Sequence, residues 1–173
     1  NLELLKLRLP EDPHPYVDKY FVRTGEILNQ EGLNPWVRAQ AFFRKGPLPI
    51  HGVNEALAMI DKYSDITKNG GRVYALPEGA TFNKGESVFV IEGRVQDIVK
   101  FETLYLGALT SSTTSANTGI NQFDLKEIEQ NVRKIKDLIG DRQLIYMGAR
   151  HWHWSQDQAI TAAAFRGGAD ETS

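Results

Sequence analysis

The residues best suited to catalysis or ligand binding lie in one cluster near the carboxyl end of the chain. Residues 148–154 read Gly-Ala-Arg-His-Trp-His-Trp and directly follow a short apolar run at 143–147. Such a run is typical of a buried parallel strand, and α/β folds bind ligands beyond the carboxyl ends of these strands. Arg150 is a fork donor for carboxylate or phosphate, and His151 beside it can donate to an anion or move a proton. The cluster therefore predicts a site for an anionic substrate, with a rim loop held by a salt bridge as the structural alternative.

The two histidines of this cluster allow a second interpretation. In an extended chain, Arg150 and the two tryptophans point to one side, and His151 and His153 point to the other. Two imidazoles on one side match the His-x-His pair of barrel metallohydrolases, where zinc takes both. The other two histidines of the chain lie in its N-terminal half. A metallohydrolase barrel fragment is therefore an alternative function.

Two further segments carry groups that suit a ligand. Residues 18–24 mix charged and aromatic side chains near the start of a predicted helix, where Tyr20 either stacks on a planar ligand or packs in a core. Residues 167–173 follow another predicted helix and either present Thr172 and Ser173 to a pocket or form an ordinary helix end. No GxGxxG or Walker A pattern occurs in the sequence, so no nucleotide cradle is predicted.

The composition excludes several classes of protein. Of the 173 residues, 41% are hydrophobic, which is enough for a packed core. The formal net charge of -2 gives no overall positive field that would attract nucleic acid or an anionic membrane. Without cysteine there is no disulfide scaffold, thiolate nucleophile or Cys-ligated zinc. The sequence has no signal-peptide pattern and no 18-residue apolar run, so a soluble cytoplasmic protein is expected.

The elements that must position these residues follow from hydrophobic spacing and turn signals. Helices are predicted at 17–30, at 55–63 with Asn54 as cap, from 101 through 109, at 125–139 with Asp124 as cap, and from 155 to about 166 with Ser155 as cap. Strands are predicted at 36–43, 72–76, 87–92, 95–99 and 143–147. The last strand and helix form one βα unit, and a closed barrel of eight such units needs about 250 residues. We therefore expect an N-terminal domain followed by the opening unit of an α/β domain.

The strand candidates within residues 72–99 permit another alternative, a small β carrier or binding module. A carrier of this type needs a lysine at a tight hairpin tip, and Lys84 in the Asn-Lys-Gly turn is the candidate.

Several short motifs, taken in order, resemble the nicotinate phosphoribosyltransferase family. Residues 146–155 and 167–173 are similar to the family's Gly-Thr/Ala-Arg-basic run and its Gly-Gly-x-Asp-x-Thr-Ser run. Residues 91–93 and 101–107 are similar to its Ile-Glu-Gly and Leu-Glu-Thr-x-x-Leu-Gly pattern, and residues 18–21 to its Asp-x-Tyr segment. The resemblance spans residues 18–173, which correspond to the front part of a family chain.

The resemblance implies a fold and an activity. The fold is an α+β arrangement, with an N-terminal α/β sandwich domain and connecting helix at residues 1–123 and the first βα unit of an incomplete α/β barrel at 124–173. The family joins nicotinate to phosphoribosyl pyrophosphate, coupled to ATP hydrolysis, and releases nicotinate mononucleotide and pyrophosphate for NAD synthesis. Mg²⁺ is the expected metal cofactor. The expected assembly is a homodimer or a complex with a complementing barrel chain, and turnover is not expected without the later barrel loops.

Site roles carry over from the family residue by residue. Tyr20, supplied by a partner subunit, would stack on the pyridine ring. Arg150 and His151 would form the catalytic pair that faces the substrate anions. Thr172 and Ser173 would edge the nicotinate pocket. Two departures matter: Arg94 stands where many relatives have Pro, and Glu102 stands where quinolinate-using relatives have Arg. The second departure favours a monocarboxylate substrate.

Overall fold

The computed structural model describes residues 2–120 and 123–172, which form the mixed α+β fold that the sequence predicts. The α-helices are α1 (Leu2–Lys6), α2 (Lys19–Gln30), α3 (Val53–Tyr63), α4 (Val95–Ile98), α5 (Glu102–Thr118), α6 (Leu125–Ile139) and α7 (Trp154–Arg166). The strands are β1 (Trp36–Phe42), β2 (Leu48–Pro49), β3 (Arg72–Ala75), β4 (Thr81–Phe82), β5 (Ser87–Arg94), β6 (Ile145–Tyr146) and β7 (Glu171–Thr172). Short 3₁₀ turns lie at His14–Tyr16, Val99–Phe101 and Ala149–His151.

The largest sheet has the order β1–β5–β3, and β5 is antiparallel to both neighbours. Its central residue Ile91 pairs with Ala39 on one side and with Val73 on the other. The two outer strands alternate between exposed and half-buried residues, whereas β5 contributes three fully buried apolar side chains. A strand covered on both edges and packed on one face is expected to be this apolar. The strands predicted at 36–43, 72–76 and 87–92 are therefore confirmed.

Helices α3 and α5 cover this sheet and complete the core. On α5, the predicted apolar stripe contributes Leu104, Tyr105, Ala108 and Leu109, each at most 5% exposed. Helical spacing of apolar residues brings them onto the one face that meets the sheet. The stripe prediction is confirmed.

Three local predictions are wrong. Residues 95–99 form α4 and the start of a 3₁₀ turn instead of a strand, because Arg94 ends β5 and the chain turns there into α5. The helix predicted from 101 through 109 is too short, because residues 110–118 continue α5 as a regular helix to Thr118. Asn54 lies within α3, and its cap position is taken by Gly52 with φ of 83°.

Residues 72–99 are not a separate β module, because their strand β5 pairs along its length with β1. Lys84 lies exposed in the turn before β5, with its backbone close to Gly46. The geometry therefore argues against the carrier alternative.

The carboxyl-terminal part forms one βαβ unit. Strands β6 and β7 pair in parallel, and α7 connects them. Helix α6 begins at Asp124, whose carboxylate accepts from the backbone N–H groups of Lys126 and Glu127, as predicted for a cap, and it ends before Gly140. The α6 helix packs on α7 but fully buries none of its side chains. The domain division at residue 123 stays a prediction.

Among the helices of residues 2–120 and 123–172, none has the length and apolarity needed for a bilayer span.

Candidate functional site

Arg150 lies in a tight turn that rests on the middle of α5. The extended geometry expected for residues 148–154 is wrong, because the 3₁₀ turn Ala149–His151 is closed by the His151 N–H donating to the Gly148 carbonyl. A methyl group added at Gly107 of α5 would lie 2.4 Å from the Trp152 carbonyl oxygen and 3.2 Å from that of Ala149. The turn can approach α5 this closely because residue 107 has no side chain.

The guanidinium of Arg150 joins three segments that are far apart in the sequence. Its Nη1 lies 3.4 Å from Glu102 at the start of α5, and its Nη2 lies 3.6 Å from Asp18 just before α2. Nη2 also donates to the Tyr20 hydroxyl, and the guanidinium carbon lies 5.8 Å from the centre of the Tyr20 ring. Tyr20 and Arg150, the residues predicted to hold the ring and the anion, are thus brought together within one chain, without a partner subunit.

Asp18 is almost completely buried, at 3% exposure, although it precedes a helix where aspartate usually caps. Its side chain forms no cap hydrogen bond and lies instead beside Arg150. Burial raises the pKa of Glu102, Arg150 opposes the shift, and Asp18 adds to it. Burial likewise raises the pKa of the Tyr20 hydroxyl, while Arg150 lowers it. Two acids therefore share one arginine in a partly dehydrated cluster.

A cleft of about 550 Å³ opens beside this cluster. Its lining includes Lys19, Tyr20 and Arg23 of α2 and Thr172 of β7. The remaining lining residues are Ile145, Met147, Phe165, Asp170 and Glu171. The cleft brings together Tyr20 and Thr172, both predicted to contact the substrate ring. Ser173 lies outside the described residues.

His151 is exposed and lies apart from that cleft. It lines a different pocket of about 350 Å³, together with apolar side chains of α6 and β6 that include Val132 and Ile135. Arg150 and His151, the two predicted catalytic residues, therefore have different surroundings: Arg150 contacts Asp18, Tyr20 and Glu102, whereas His151 lines the pocket of α6 and β6. The catalytic role of His151 stays a prediction.

His153 is held by hydrogen bonds at both ring nitrogens. Its Nδ1 accepts from the Ser155 backbone N–H, which makes His153 the cap of α7 and corrects the prediction that Ser155 is the cap. Its Nε2 lies 2.8 Å from Oε1 of Glu55 on α3. Since Nδ1 accepts, Nε2 is assigned as the donor to Glu55. Neither nitrogen is left to ligate zinc, which argues against the metallohydrolase alternative.

Both tryptophans of the cluster have structural contacts. Trp152 donates through Nε1 to the Tyr146 hydroxyl at 2.7 Å, and its ring meets Phe123 edge-on. Trp154 donates to Glu55 at 3.1 Å and meets the Tyr16 ring edge-on. They anchor the two ends of the Arg150 turn, because each indole packs its body and satisfies its single donor.

Glu55 should make the anchoring of this turn dependent on pH. Burial alone raises the pKa of Glu55, but the hydrogen bonds from His153 and Trp154 outweigh it, so the net pKa is lowered from 4.5. A lowered carboxyl pKa stabilises the fold above the unfolded-state value and loses that contribution as the pH falls through the folded-state value. Glu55→Gln should therefore cost about 1–2 kcal/mol at pH 7, and the difference from wild type should shrink below pH 4.5.

Urea unfolding of both proteins at pH 7 and pH 3.5 measures this effect. Glu127→Gln, an exposed acid on α6, is the matched control and should change stability by less than about 0.5 kcal/mol. A Glu55→Gln deficit that stays constant down to pH 3.5 would contradict the assignment.

Asp157 in the first turn of α7 shows the opposite shift. Burial raises its pKa, Asp18 raises it further, and its Oδ1 is buried without a hydrogen-bond partner among the described residues. Because a raised carboxyl pKa destabilises the fold once the pH exceeds the unfolded value, Asp157→Asn should stabilise it at pH 7. We expect about 0.5 kcal/mol after discounting for solvent screening, and no gain below the unfolded pKa of 3.8. Thermal unfolding at pH 7 and at a pH below 3.8 checks whether Asp157→Asn raises the stability only at pH 7. Asp137→Asn, at an exposed position of α6, is the control.

The described residues contain no preformed site for Mg²⁺, and the use of ATP stays a prediction. Within residues 2–120 and 123–172, no three His, Asp or Glu side chains are clustered closely enough to hold a metal ion. Asp170, one acid of the cleft, is already bonded to Lys136 and to the Leu144 backbone N–H. The described residues therefore do not fit a resident metal site, and no step is derived through one.

Sequence reasoning missed several residues of this region. The missed residues are Glu55, Gly107 and Asp157. Lys19 and Arg23 lie in the segment 18–24 that the sequence singled out, but no role was predicted for them. Glu55 could not be found locally, because its partner His153 is 98 residues away.

Comparison with solved structures places the fold. Nicotinate-nucleotide pyrophosphorylase from Pyrococcus furiosus is 29% identical with a TM-score of 0.51, over 95% of this chain and 40% of that one. The corresponding enzyme from Francisella tularensis is 15% identical with a TM-score of 0.40, over 93% of this chain and 54% of its own. Human nicotinic acid phosphoribosyltransferase is 15% identical with a TM-score of 0.47, over 90% of this chain and 35% of its own. The chain thus spans less than two thirds of each of these relatives.

Comparison with curated protein sequences found no match. The family model for the quinolinate phosphoribosyl transferase N-terminal domain matches residues 18–113, which include Asp18, Tyr20 and Glu102. Because that match covers more than half of the chain, the protein belongs to the quinolinate phosphoribosyl transferase N-terminal domain family.

Proposed function

We propose that this chain is the front part of an enzyme that transfers the phosphoribosyl group of phosphoribosyl pyrophosphate to nicotinate in NAD synthesis. The observation that carries the proposal is that Tyr20, held by Arg150, lines the same cleft as Thr172. The family match and the likeness to the Pyrococcus furiosus nicotinate-nucleotide pyrophosphorylase support phosphoribosyl chemistry on a pyridine.

The geometry suits the reaction at the ring. The pyridine nitrogen attacks the anomeric carbon, the bond from that carbon to pyrophosphate breaks, and charge builds up as in glycosyl transfer. Tyr20 offers a flat face for the pyridine, and its hydroxyl is fixed by Arg150, so the ring face is preorganised. The cleft runs along the two-stranded parallel sheet, where Ile145 of β6 and Glu171 and Thr172 of β7 contribute to its lining.

The acids around Arg150 favour one carboxylate over two. Glu102 and Asp18 already lie within 3.6 Å of the guanidinium, so any substrate carboxylate near it meets like charge, and a dicarboxylate meets more of it than a monocarboxylate does. This electrostatic argument supports nicotinate over quinolinate, the substrate that the family description names.

Product formation tests the proposal in the protein that carries this sequence. Its intact and native masses are measured first, since the chain covers only 40% of the Pyrococcus furiosus structure. The protein is then incubated with phosphoribosyl pyrophosphate, Mg²⁺ and ATP, with nicotinate, quinolinate or nicotinamide in separate arms. Nicotinate mononucleotide from nicotinate is the expected product, and product from quinolinate alone would overturn the choice of substrate.

Substitution of Tyr20 connects that assay to the cleft. Tyr20→Phe keeps the ring face and should retain nicotinate binding within about threefold, whereas Tyr20→Ala should lose about tenfold or more. Equal binding by both variants, measured by equilibrium dialysis of labelled nicotinate, would remove Tyr20 from the site.

A further inference from the structure

We infer that Lys19 and Arg23 form a phosphate-binding subsite on the α2 wall of the cleft, a site distinct from the Arg150 cluster. The inference rests on the proposed function for the identity of the ligand, but the electrostatic argument stands by itself. It differs from the sequence-based expectation, which gave the substrate anions to Arg150 and His151.

Arg150 is poorly available to an anion, because its guanidinium is already engaged. Asp18, Glu102 and the Tyr20 hydroxyl all lie around it, and the two carboxylates outnumber its single positive charge. An incoming phosphate would have to displace an acid that is nearly buried. The guanidinium therefore serves to hold Tyr20 and to compensate the two acids.

The Lys19–Arg23 pair is in the opposite situation. Both side chains line the cleft of about 550 Å³ and also the adjoining hollow of about 450 Å³, with Thr172 common to both. Neither forms a hydrogen bond or ion pair with any residue of the described ranges 2–120 and 123–172. The two positive charges thus have no ion-pair partner among the described residues, and Glu26 is the acid that lines the adjoining hollow with them.

Helix energetics alone do not explain this arrangement. Two like charges at positions i and i+4 repel each other, and Lys19 is the first residue of α2, where the helix dipole disfavours a cation. No acidic residue occupies the first turn of α2 to relieve this repulsion. An anion bound between the two side chains would reduce both their mutual repulsion and the unfavourable interaction of Lys19 with the helix dipole.

The chemistry of the cleft fits phosphate. The Thr172 hydroxyl, which lines the same cleft, can donate a hydrogen bond to a phosphate oxygen. Lys19 and Arg23 are one helical turn apart, with about 5–6 Å between their Cβ atoms, so both side chains can contact one phosphate group. Of the acids in the cleft, Asp170 is neutralised by Lys136, which leaves Glu171 as the opposing charge. Phosphate can come from the pyrophosphate of the donor or from a sugar phosphate.

Isothermal titration of the protein with pyrophosphate, and separately with ribose 5-phosphate, tests the subsite without requiring turnover. Lys19→Gln with Arg23→Gln should weaken binding of the preferred ligand by about tenfold or more. The matched control is Lys134→Gln with Arg44→Gln, which changes net charge equally at exposed residues away from the cleft and should alter binding less than about twofold. Circular dichroism melting verifies that both double variants fold.

The outcomes separate this inference from the proposed function. Preference for pyrophosphate or for ribose 5-phosphate identifies which phosphate the subsite holds, provided that binding is lost in the Lys19/Arg23 variant. Equal losses in the two double variants, or no binding of either ligand by the wild type at millimolar concentration, would overturn the subsite. If nicotinate is not bound but phosphate binding depends on Lys19 and Arg23, the subsite stands and the proposed pyridine substrate fails.

Discussion

Arg150→Ala should lower the free energy of unfolding by about 2–4 kcal/mol at pH 7 and weaken nicotinate binding at the same time. Arg150 is the shared cation for Asp18 and Glu102, and it also fixes the Tyr20 hydroxyl. Removing it leaves a nearly buried carboxylate without that compensation, and such a loss costs more than an exposed ion pair is worth. We place the effect below that of a fully buried pair because the Arg150 side chain is 35% exposed.

The pH dependence of that loss identifies its cause. Once Arg150 is gone, the Glu102 carboxyl, whose pKa is already raised by burial and by the Asp18 charge, can escape repulsion by taking up a proton, so the deficit should shrink as the pH falls from 7 to 4. Adding Asp18→Asn to Arg150→Ala should restore part of the stability at pH 7 for the same reason. Arg150→Lys, which keeps the charge without the planar fork, should fall between wild type and alanine.

Urea unfolding with tyrosine and tryptophan fluorescence measures these variants. Arg166→Ala is the matched control, since Arg166 forms an exposed ion pair with Glu129 and should cost less than about 1 kcal/mol. In an enzyme that turns over, Arg150→Ala should also reduce kcat/KM by about tenfold or more, because the ring of Tyr20 is no longer held in place. A stable Arg150→Ala variant with unchanged nicotinate affinity would show that the cluster neither supports the fold nor orients Tyr20.

The parts of the fold that sequence reasoning predicted are those controlled by local spacing. The α5 stripe, the three strands of the main sheet and the Asp124 cap depend on residues within a few positions of one another, and side-chain period alone decides their faces. For the carboxyl-terminal part, the sequence predicted one βα unit, and the structure adds the polar strand β7, which pairs in parallel with β6.

The failures come from partners that are distant in the sequence. Asn54 looked like a helix cap, but the Glu78 carboxylate accepts from the backbone N–H groups of both Gly52 and Asn54, so the cap is supplied from another turn. Residues 95–99 have the β-branched composition of a strand, yet they form a helix because the chain must turn from β5 into α5. The sequence made His153 a candidate metal ligand, but its Nε2 is hydrogen-bonded to Glu55 on another helix.

The candidate site shows the same division. Sequence motifs predicted Tyr20, Arg150 and Thr172 as residue types, and the fold brings Tyr20 to Arg150 and Tyr20 to the Thr172 cleft. The charge balance around Arg150 was not predictable, because Asp18, Glu102 and Arg150 come from three elements. That balance is what assigns Arg150 to holding Tyr20 and leaves the free cations on α2.

Gly107→Ala should disrupt the Arg150 turn more than any change made on the turn's exposed surface. The added methyl would lie 2.4 Å from the Trp152 carbonyl oxygen, a backbone atom that can move only if the turn moves with it. Overpacking of this kind costs about 1–3 kcal/mol, which exceeds the 0.5–1 kcal/mol or so that alanine gains over glycine in a helix. We expect a net loss of stability together with weaker nicotinate binding, as Arg150 shifts away from Tyr20.

Gly25→Ala provides the matched control, because it makes the same exchange inside helix α2 at a buried position. Its added methyl would meet the Lys100 side chain at 3.1 Å, which is flexible and can move aside. Gly25→Ala should therefore be neutral or stabilising by up to about 1 kcal/mol, so the two variants separate the clash from the helix propensity. Equal stability of Gly107→Ala and Gly25→Ala would contradict the close packing of α5 against the turn. Loss in Gly107→Ala alone, with reduced nicotinate affinity, would connect this glycine to the position of Arg150 through the backbone of the turn.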